Sequence, residues 1–556
     1  MRIDARRNRR SCFWLMLLLL VSPAWALQPT PVREADAICA QCHREISRSY
    51  LATPMANASG LAAENLRPGV LAHSRSATEY QVLLNGNQGE IRYRSTHPPD
   101  IEGKLPLLYF LGSGHLGTTY IYSIGNFLFE SPVAWYAPEQ GYDMKPGLAE
   151  IERMPPPLPM QSGCLRCHMS SVQPSDPGTI NRYGGLPFLH TGITCESCHG
   201  DSTRHVQSRG KDSIVNPVRL KPGERDSVCI SCHLEGDVTV ARAGHSALDY
   251  RPGESISAYL AFYVREGANL TDRAVSEVEQ LGQSTCKRTS GDSMSCMSCH
   301  DPHYTPDTAH RVAFFRGKCL ACHHQPGFAA THHPENQDCT SCHMPRSGAR
   351  NILHVAWTDH RIRRQPAQTI SDADSVTGGE LVPIFSPGSS RRDLAMANYK
   401  ALLEGERSRE VIVWKQLNEL QGEFSSDKDA LDALGNVSAE RGEYARAEQS
   451  FRSALQLDPA DLTGLSNLGI LLAKEGKLKE SLELLQTAFE HNQDVPGLAK
   501  NLARVQCMAG DGQAARATLG AALAYGPGLG DLRQLLTELG DCRSTTGPAT
   551  APQNRR

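Results

Sequence analysis

Residues 192–200 read Gly192-Ile193-Thr194-Cys195-Glu196-Ser197-Cys198-His199-Gly200, and the central Cys-x-x-Cys-His decides how the first two thirds of the chain fold. The pattern recurs at Cys39, Cys42 and His43; at Cys164, Cys167 and His168; and at Cys229, Cys232 and His233. It returns at Cys296, Cys299 and His300; at Cys319, Cys322 and His323; and at Cys339, Cys342 and His343. Seven copies use fourteen of the eighteen cysteines. Two thiols three residues apart can each add to one vinyl group of a single haem. The next residue then lies under the ring, where its imidazole reaches the iron as the proximal ligand.

Paired Cys-x-x-Cys knuckles also coordinate zinc. Histidine is only 21 of 556 residues, so its presence after all seven by chance has a probability on the order of 10⁻¹⁰. Neither a zinc knuckle nor a disulfide framework needs His at that offset. Seven covalent haem c groups are the expectation. Successive motifs start 125, 31, 34, 67, 23 and 20 residues apart. The short intervals cannot build a core of their own, so haem rings supply the buried apolar surface and neighbouring haems lie close. Aromatic residues at 6% fit that picture.

Fourteen histidines remain, thirteen of them before residue 366. Each low-spin haem needs a sixth ligand. The candidates are His115, His190, His205, His303, His310, His332, His333, His354 and His360, with Met55 as a thioether alternative to core packing; His73, His97, His245 and His324 stay unassigned. Of the other cysteines, Cys12 falls in the leader, Cys286 reads as a small buried hydrophobe, and Cys507 with Cys542 could pair in an oxidising compartment.

Residues 1–26 have Arg2, Arg6, Arg7, Arg9 and Arg10, an apolar run over 12–21, and Ala24-Trp25-Ala26 as a cleavage site. That is a secretory signal, too short for a membrane span, with a twin-arginine export route as the lesser alternative. A soluble protein starting near Leu27, periplasmic or otherwise exported, is expected. Removal of the leader takes the net charge from −3 to −7, which argues against a nucleic-acid binder.

The segment around Cys195 with His205 after it resembles a signature of multihaem cytochromes related to cytochrome c-554. So do Cys299-His300-Asp301-Pro302-His303 and Cys342-His343-Met344-Pro345. The resemblance covers roughly residues 36–365. That superfamily includes hydroxylamine oxidoreductase and multihaem nitrite-reducing enzymes, and in it a His soon after one haem motif often ligates another haem. The resemblance implies distal roles for His205 and His303. It places Met55, in Thr53-Pro54-Met55, where the family frequently has a Ser-x-His. The Cys-x-x-Cys-Lys of pentahaem nitrite reductases does not occur, and no residue is identified as the cross-linking tyrosine of hydroxylamine oxidoreductases.

Residues 60–160 contain no haem motif. Alternating stretches at 79–84 and 90–94 flank Asn85-Gly86-Asn87 as a hairpin, and strands over 119–124 and 127–130 meet at Gly125-Asn126. A small antiparallel β insertion is expected. Gly112-Ser113-Gly114-His115-Leu116-Gly117 has no helix signal after it and is not a phosphate loop, although His115 there could approach a haem face.

A Ser/Gly/Pro-rich linker is expected over 366–390, and the chain then repeats every 34 residues. Leu431, Gly435, Ala447, Phe451, Ala454 and Pro459 match tetratricopeptide positions, followed by Leu465, Gly469, Ser481, Leu485, Ala488 and Gln493, and then by Ala499, Ala503, Ala515, Leu519, Ala522 and Pro527. A helix pair over 391–423 would cap the stack, the helical region would run to 545, and 546–556 would be a disordered tail. The fold expected is mainly α: a loop-rich multihaem domain over 27–365 with a small β insertion, then a helical solenoid. The function expected is electron transport through seven haems, with the solenoid groove docking a redox partner protein and no membrane span. The alternatives are an oxidoreductase acting on a small nitrogen or sulfur compound at an open haem, or a scaffold.

Overall fold

The computed structural model describes residues 29–97, 100–267, 274–348, 354, 356–364, 379–385, 390–539 and 542. The expected leader and C-terminal tail lie outside them.

The haem-free region is a ten-stranded antiparallel sheet, not a small insertion, and the N-terminal part is therefore not mainly helical. Its strands are β1 Ser59–Leu61, β2 Gly69–His73, β3 Thr78–Asn85, β4 Gln88–Ser95, β5 Ile101–Leu111, β6 Gly117–Ile124, β7 Phe127–Glu130, β8 Val133–Tyr136, β9 Gly141–Met144 and β10 Leu158–Pro159. The order β10-β7-β6-β5-β4-β3-β2 forms the main path, with β1 on β5 and the β8–β9 hairpin on β6. The expected β3–β4 hairpin is present: Asn85 faces Gln88, and Gly86 takes φ 61° in the two-residue turn. Alternation puts Tyr80, Val82 and Ile91 inward, where they meet Phe110, Tyr120 and Phe129. Four-residue strands such as β8 and β9 give too short a period to read, and Gly103 and Pro106 interrupt the apolar alternation of β5.

The motif-bearing segments surround this sheet in short pieces: β11 Met169–Val172 paired with β12 Phe188–Thr191, β13 Val238–Ala241 with β14 Leu260–Arg265, and β15 Arg346–Gly348 with β16 Ala356–Thr358. Among them lie helices α1 Arg44–Tyr50, α2 Thr203–Gln207, α3 Pro222–His233 and α4 Arg311–Leu320. The segment expected as linker contains a further strand, β17 Leu381–Pro383, which adds to β14.

The C-terminal part is a stack of paired helices: α5 Arg391–Leu403, α6 Glu410–Leu420, α7 Lys428–Glu440, α8 Tyr444–Leu457, α9 Leu462–Lys474, α10 Leu478–His491, α11 Pro496–Met508, α12 Gly512–Leu523 and α13 Gly530–Glu538. Asp427, Asp461 and Asp511 side chains accept backbone N–H bonds and cap α7, α9 and α12. Gly435 lies directly against the Phe451 ring and Gly469 against Leu485; a Cβ at either would collide, which explains the small residue at that repeat position. Cys507 is buried in the cluster against which Cys542 packs.

The solenoid is seated on the cytochrome part at both ends. Leu394, Ala397 and Ala401 of α5 pack on Val238, Val240, Tyr263 and Leu381, and Arg242 pairs with Asp393 at 2.5 Å. At the far end the Tyr525 ring stands edge-on to Phe127 at 5.3 Å. Asn492, fully buried, donates to the Gly178 carbonyl at 2.7 Å and accepts from the Ile180 N–H at 3.0 Å. The loops joining successive repeats thus rest on the cytochrome part. Among the described residues, no helix is long and apolar enough to cross a membrane.

Candidate haem-binding site

Each motif folds into a tight helical turn. In motifs one, three, five and six the His N–H donates to the first Cys carbonyl at 2.9 Å, which brings both thiols and the imidazole to one side. The turns line a shared cavity of about 2930 Å³ with at least one cysteine from each of the first six motifs. A pocket for one drug-sized ligand measures about 300–1,000 Å³, so this space suits several large groups.

Thiols from different motifs meet in pairs: Cys39 with Cys195, Cys167 with Cys232, Cys229 with Cys296, and Cys319 with Cys339. Cys39, beside Cys195, is pushed down to about 7, and Cys232, beside Cys167, to about 6. Burial pushes Cys198 up to about 12. As thioethers none of these would titrate. The contacts join attachment points one to three, three to four through the nearby Cys198 and Cys232, four to five, and six to seven, with two joined to four. Cys299 and half-buried Cys286 lie within electrostatic reach of Cys319.

Histidines from distant segments face the motif histidines. The rings of His43 and His205 are 6.3 Å apart at 15°, His199 and His303 6.0 Å at 8°, and His300 and His360 6.3 Å at 26°. His343 faces His332 at 6.0 Å and 22°, and His333 at 6.3 Å and 53°. An imidazole nitrogen lies about 2 Å from a bound metal and the ring centre ~1 Å behind it, so two axial rings on one iron have centres ~6 Å apart. Nδ1 contacts complete the arrangement: His199 to the Val215 carbonyl at 2.8 Å, His205 to Asp212 at 2.8 Å, His343 to Arg363 at 2.5 Å and His360 to Thr358 at 2.9 Å. Such a bond fixes the proton on Nδ1 and leaves Nε2 as the metal-facing atom. Burial, with His360 alongside, pushes His300 down to about 4; burial also lowers His168 and His303, so these rings are neutral, as a ligand must be.

The other candidates are placed differently. Met55 lies in the cavity wall. His190 on β12 has a buried Nδ1 without a protein partner, as does His168. His115 is exposed on the β5–β6 turn, away from the cavity. His310 is exposed, with Nδ1 held by Asp307 at 2.8 Å. His354 has both nitrogens committed to carboxylates, Asp143 at 2.7 Å and Glu139 at 3.2 Å. Of the unassigned residues, His73 bonds Ser76 and the Ala149 carbonyl.

Sequence reasoning passed over Asp36 and Tyr50. Asp36 is buried, its carboxylate accepts the Cys195 N–H at 3.1 Å, and burial raises its pKa. Tyr50 donates to the Ile193 carbonyl at 2.5 Å and stands edge-on to His303. Both join the first motif to segments more than 140 residues away, a pairing that no local pattern announces. Gly192, at φ 70°, lets that junction close: a Cβ there would strike the Ala56 carbonyl.

The cytochrome c554 and c-prime family model matches residues 148–200, and a tetratricopeptide repeat model matches 438–496 and 472–539. A c-554-like multihaem cytochrome is fused here to tetratricopeptide repeats. The cytochrome c-type protein NrfB of Escherichia coli O6:H1 is 33% identical over 76 residues, 13% of this chain and 38% of that protein. The chain thus spans well under half of that relative. MamA from Desulfovibrio magneticus RS-1 is 19% identical over 27% of this chain and 84% of that one, with TM-score 0.24. A thermophilic tetratricopeptide protein of Thermus thermophilus is 16% identical over 27% and 90%, with TM-score 0.22. The chain is a c-type cytochrome with covalent haem and with repeats of a protein-interaction kind.

Proposed function

We propose that this protein is an exported electron carrier in which seven covalent haems form a continuous relay. The observation that carries the reading is the set of four motif histidines, each with a near-parallel imidazole 6.0–6.3 Å away. Haem c, once bound, supplies one-electron chemistry. The chain's own residues would hold it through the paired cysteines and through facing imidazoles: His43 with His205, His199 with His303, His300 with His360, and His343 with His332 or His333. An iron closed on both faces passes electrons and gives substrate no place to bind. The thiol pairs that join different motifs would hold neighbouring haem groups near one another.

The repeats serve partner recognition in this reading, and their inter-repeat loops already hold the cytochrome part. A redox partner would meet the remaining solenoid surface. A reductive titration of the exported holo-protein tests the proposal. It should take up seven electrons per chain reversibly, with no steady-state consumption of nitrite, hydroxylamine or sulfite. Sustained turnover of any of these compounds would contradict it.

A further inference from the structure

The first haem slot lies at one end of the chain of thiol contacts, since Cys39 meets Cys195 while Cys42 and His43 are exposed. On α1, His43, Ile46, Ser47 and Tyr50 line the cavity. Helical spacing therefore turns Arg44 and Arg48 to the solvent side. Across the slot, α2 brings His205 to His43 and exposes Arg204; Arg209, Lys211 and Arg219 follow, all exposed. Six cations thus stand near this mouth against four exposed carboxylates, Glu45, Glu196, Asp201 and Asp212. Asp201 is already engaged by the Thr203 N–H and hydroxyl. The neighbouring ion pairs use other cations, Lys221 with Glu224 and Arg225 with Asp226. The exposed rim is thus net positive, by two charges, on a chain whose overall balance is negative.

We propose that this rim is the electron-exchange port of the protein, docking a redox protein whose contact face is acidic; the proposal rests on the carrier reading above. A negative partner is drawn to the rim and oriented over the first slot, while the chain's own negative balance discourages contact elsewhere. Encounters of this kind use small interfaces and respond strongly to salt.

The test is stopped-flow oxidation of the fully reduced holo-protein by two small probes, ferricyanide, a trianion, and tris(bipyridine)cobalt(III), a trication. Electrostatic steering changes association rates by about 10-fold or more, so the ferricyanide rate should fall by roughly that factor between low and physiological salt. The cobalt rate should not fall. Polyglutamate, standing in for the acidic face, should slow ferricyanide oxidation of the wild type. The triple variant R44E/R48E/R204E should lose about ten-fold of the low-salt ferricyanide rate, gain rate with the cobalt complex, ignore polyglutamate, and keep its haem content and midpoint potentials. A ferricyanide rate indifferent to these charges would overturn the port. So would a variant with shifted potentials or a missing haem, because the arginines would then be compensating the haem's own carboxylates. Failure of the carrier reading looks different: a subset of haems would stay reduced with either probe.

Discussion

At His205, Nδ1 is tied to the Asp212 carbonyl and the ring is held near-parallel to His43. His205→Ala should convert one haem from low to high spin while the total haem count stays constant, as read by electron paramagnetic resonance and haem assay. His354→Ala, whose ring is held by Asp143 and Glu139, should leave the spin count unchanged. Asp494 presents a different kind of single-residue effect. Its carboxyl is buried where the solenoid meets the sheet, with Asn181 and Tyr525 near it, and burial raises its pKa from 3.8 to about 6. A carboxyl raised in the folded state favours folding while protonated, and that advantage is lost as pH rises from about 4 through 6. Asp494→Asn should therefore stabilise the protein at pH 7 by about 2–3 kcal/mol and by nearly nothing at pH 4, measured by urea unfolding at both pH values. The seven Cys-x-x-Cys-His turns were legible in the sequence because spacing alone defines them. Asp36 and Tyr50 were not, because their partners are brought to them only by the fold.

The helices of the solenoid could be read from their 34-residue period, since each repeat needs small residues where its two helices touch, as at Gly435 and Gly469. The sheet was only half legible. The β3–β4 hairpin has an unambiguous turn, but β8, β9 and β10 are too short to show alternation. β17 falls in a segment whose composition reads as linker, and it becomes a strand only because β14 offers an unpaired edge. The seating of the repeats on the cytochrome part was not legible at all, because Asn492, Gly178 and Tyr525 carry no motif. Asn492→Ala removes two buried hydrogen bonds and should weaken that seating by about 2 kcal/mol. The expected outcome is faster proteolytic cleavage near residue 178 with an unchanged haem spectrum. An unchanged cleavage rate would mean that the junction does not depend on this residue.

Over the whole molecule, the sheet, the solenoid and the haem-binding segments divide the labour. The ten-stranded sheet and the repeats have apolar cores of their own. Residues 228–263 add apolar clusters around Ile230, Leu260, Phe262 and Tyr263. Among the described residues, those from motif five to motif seven bury no hydrophobic side chain, and the shared cavity marks where covalent rings would complete them. Expression without c-type haem maturation should therefore leave residues 296–345 unfolded while the repeats remain helical, a difference visible by hydrogen exchange. The thiol contacts that link motif to motif run from the exposed first slot toward the sixth and seventh, which is the arrangement a relay requires.

Low-temperature electron paramagnetic resonance of the oxidised, exported holo-protein, integrated against total iron, tests the central claim most directly. The account predicts low-spin signals for at least four of seven irons, of the type given by near-parallel imidazole planes, with no change on adding nitrite or hydroxylamine. Mostly high-spin iron, or a high-spin signal that shifts when either compound is added, would contradict it and identify an open, substrate-binding haem.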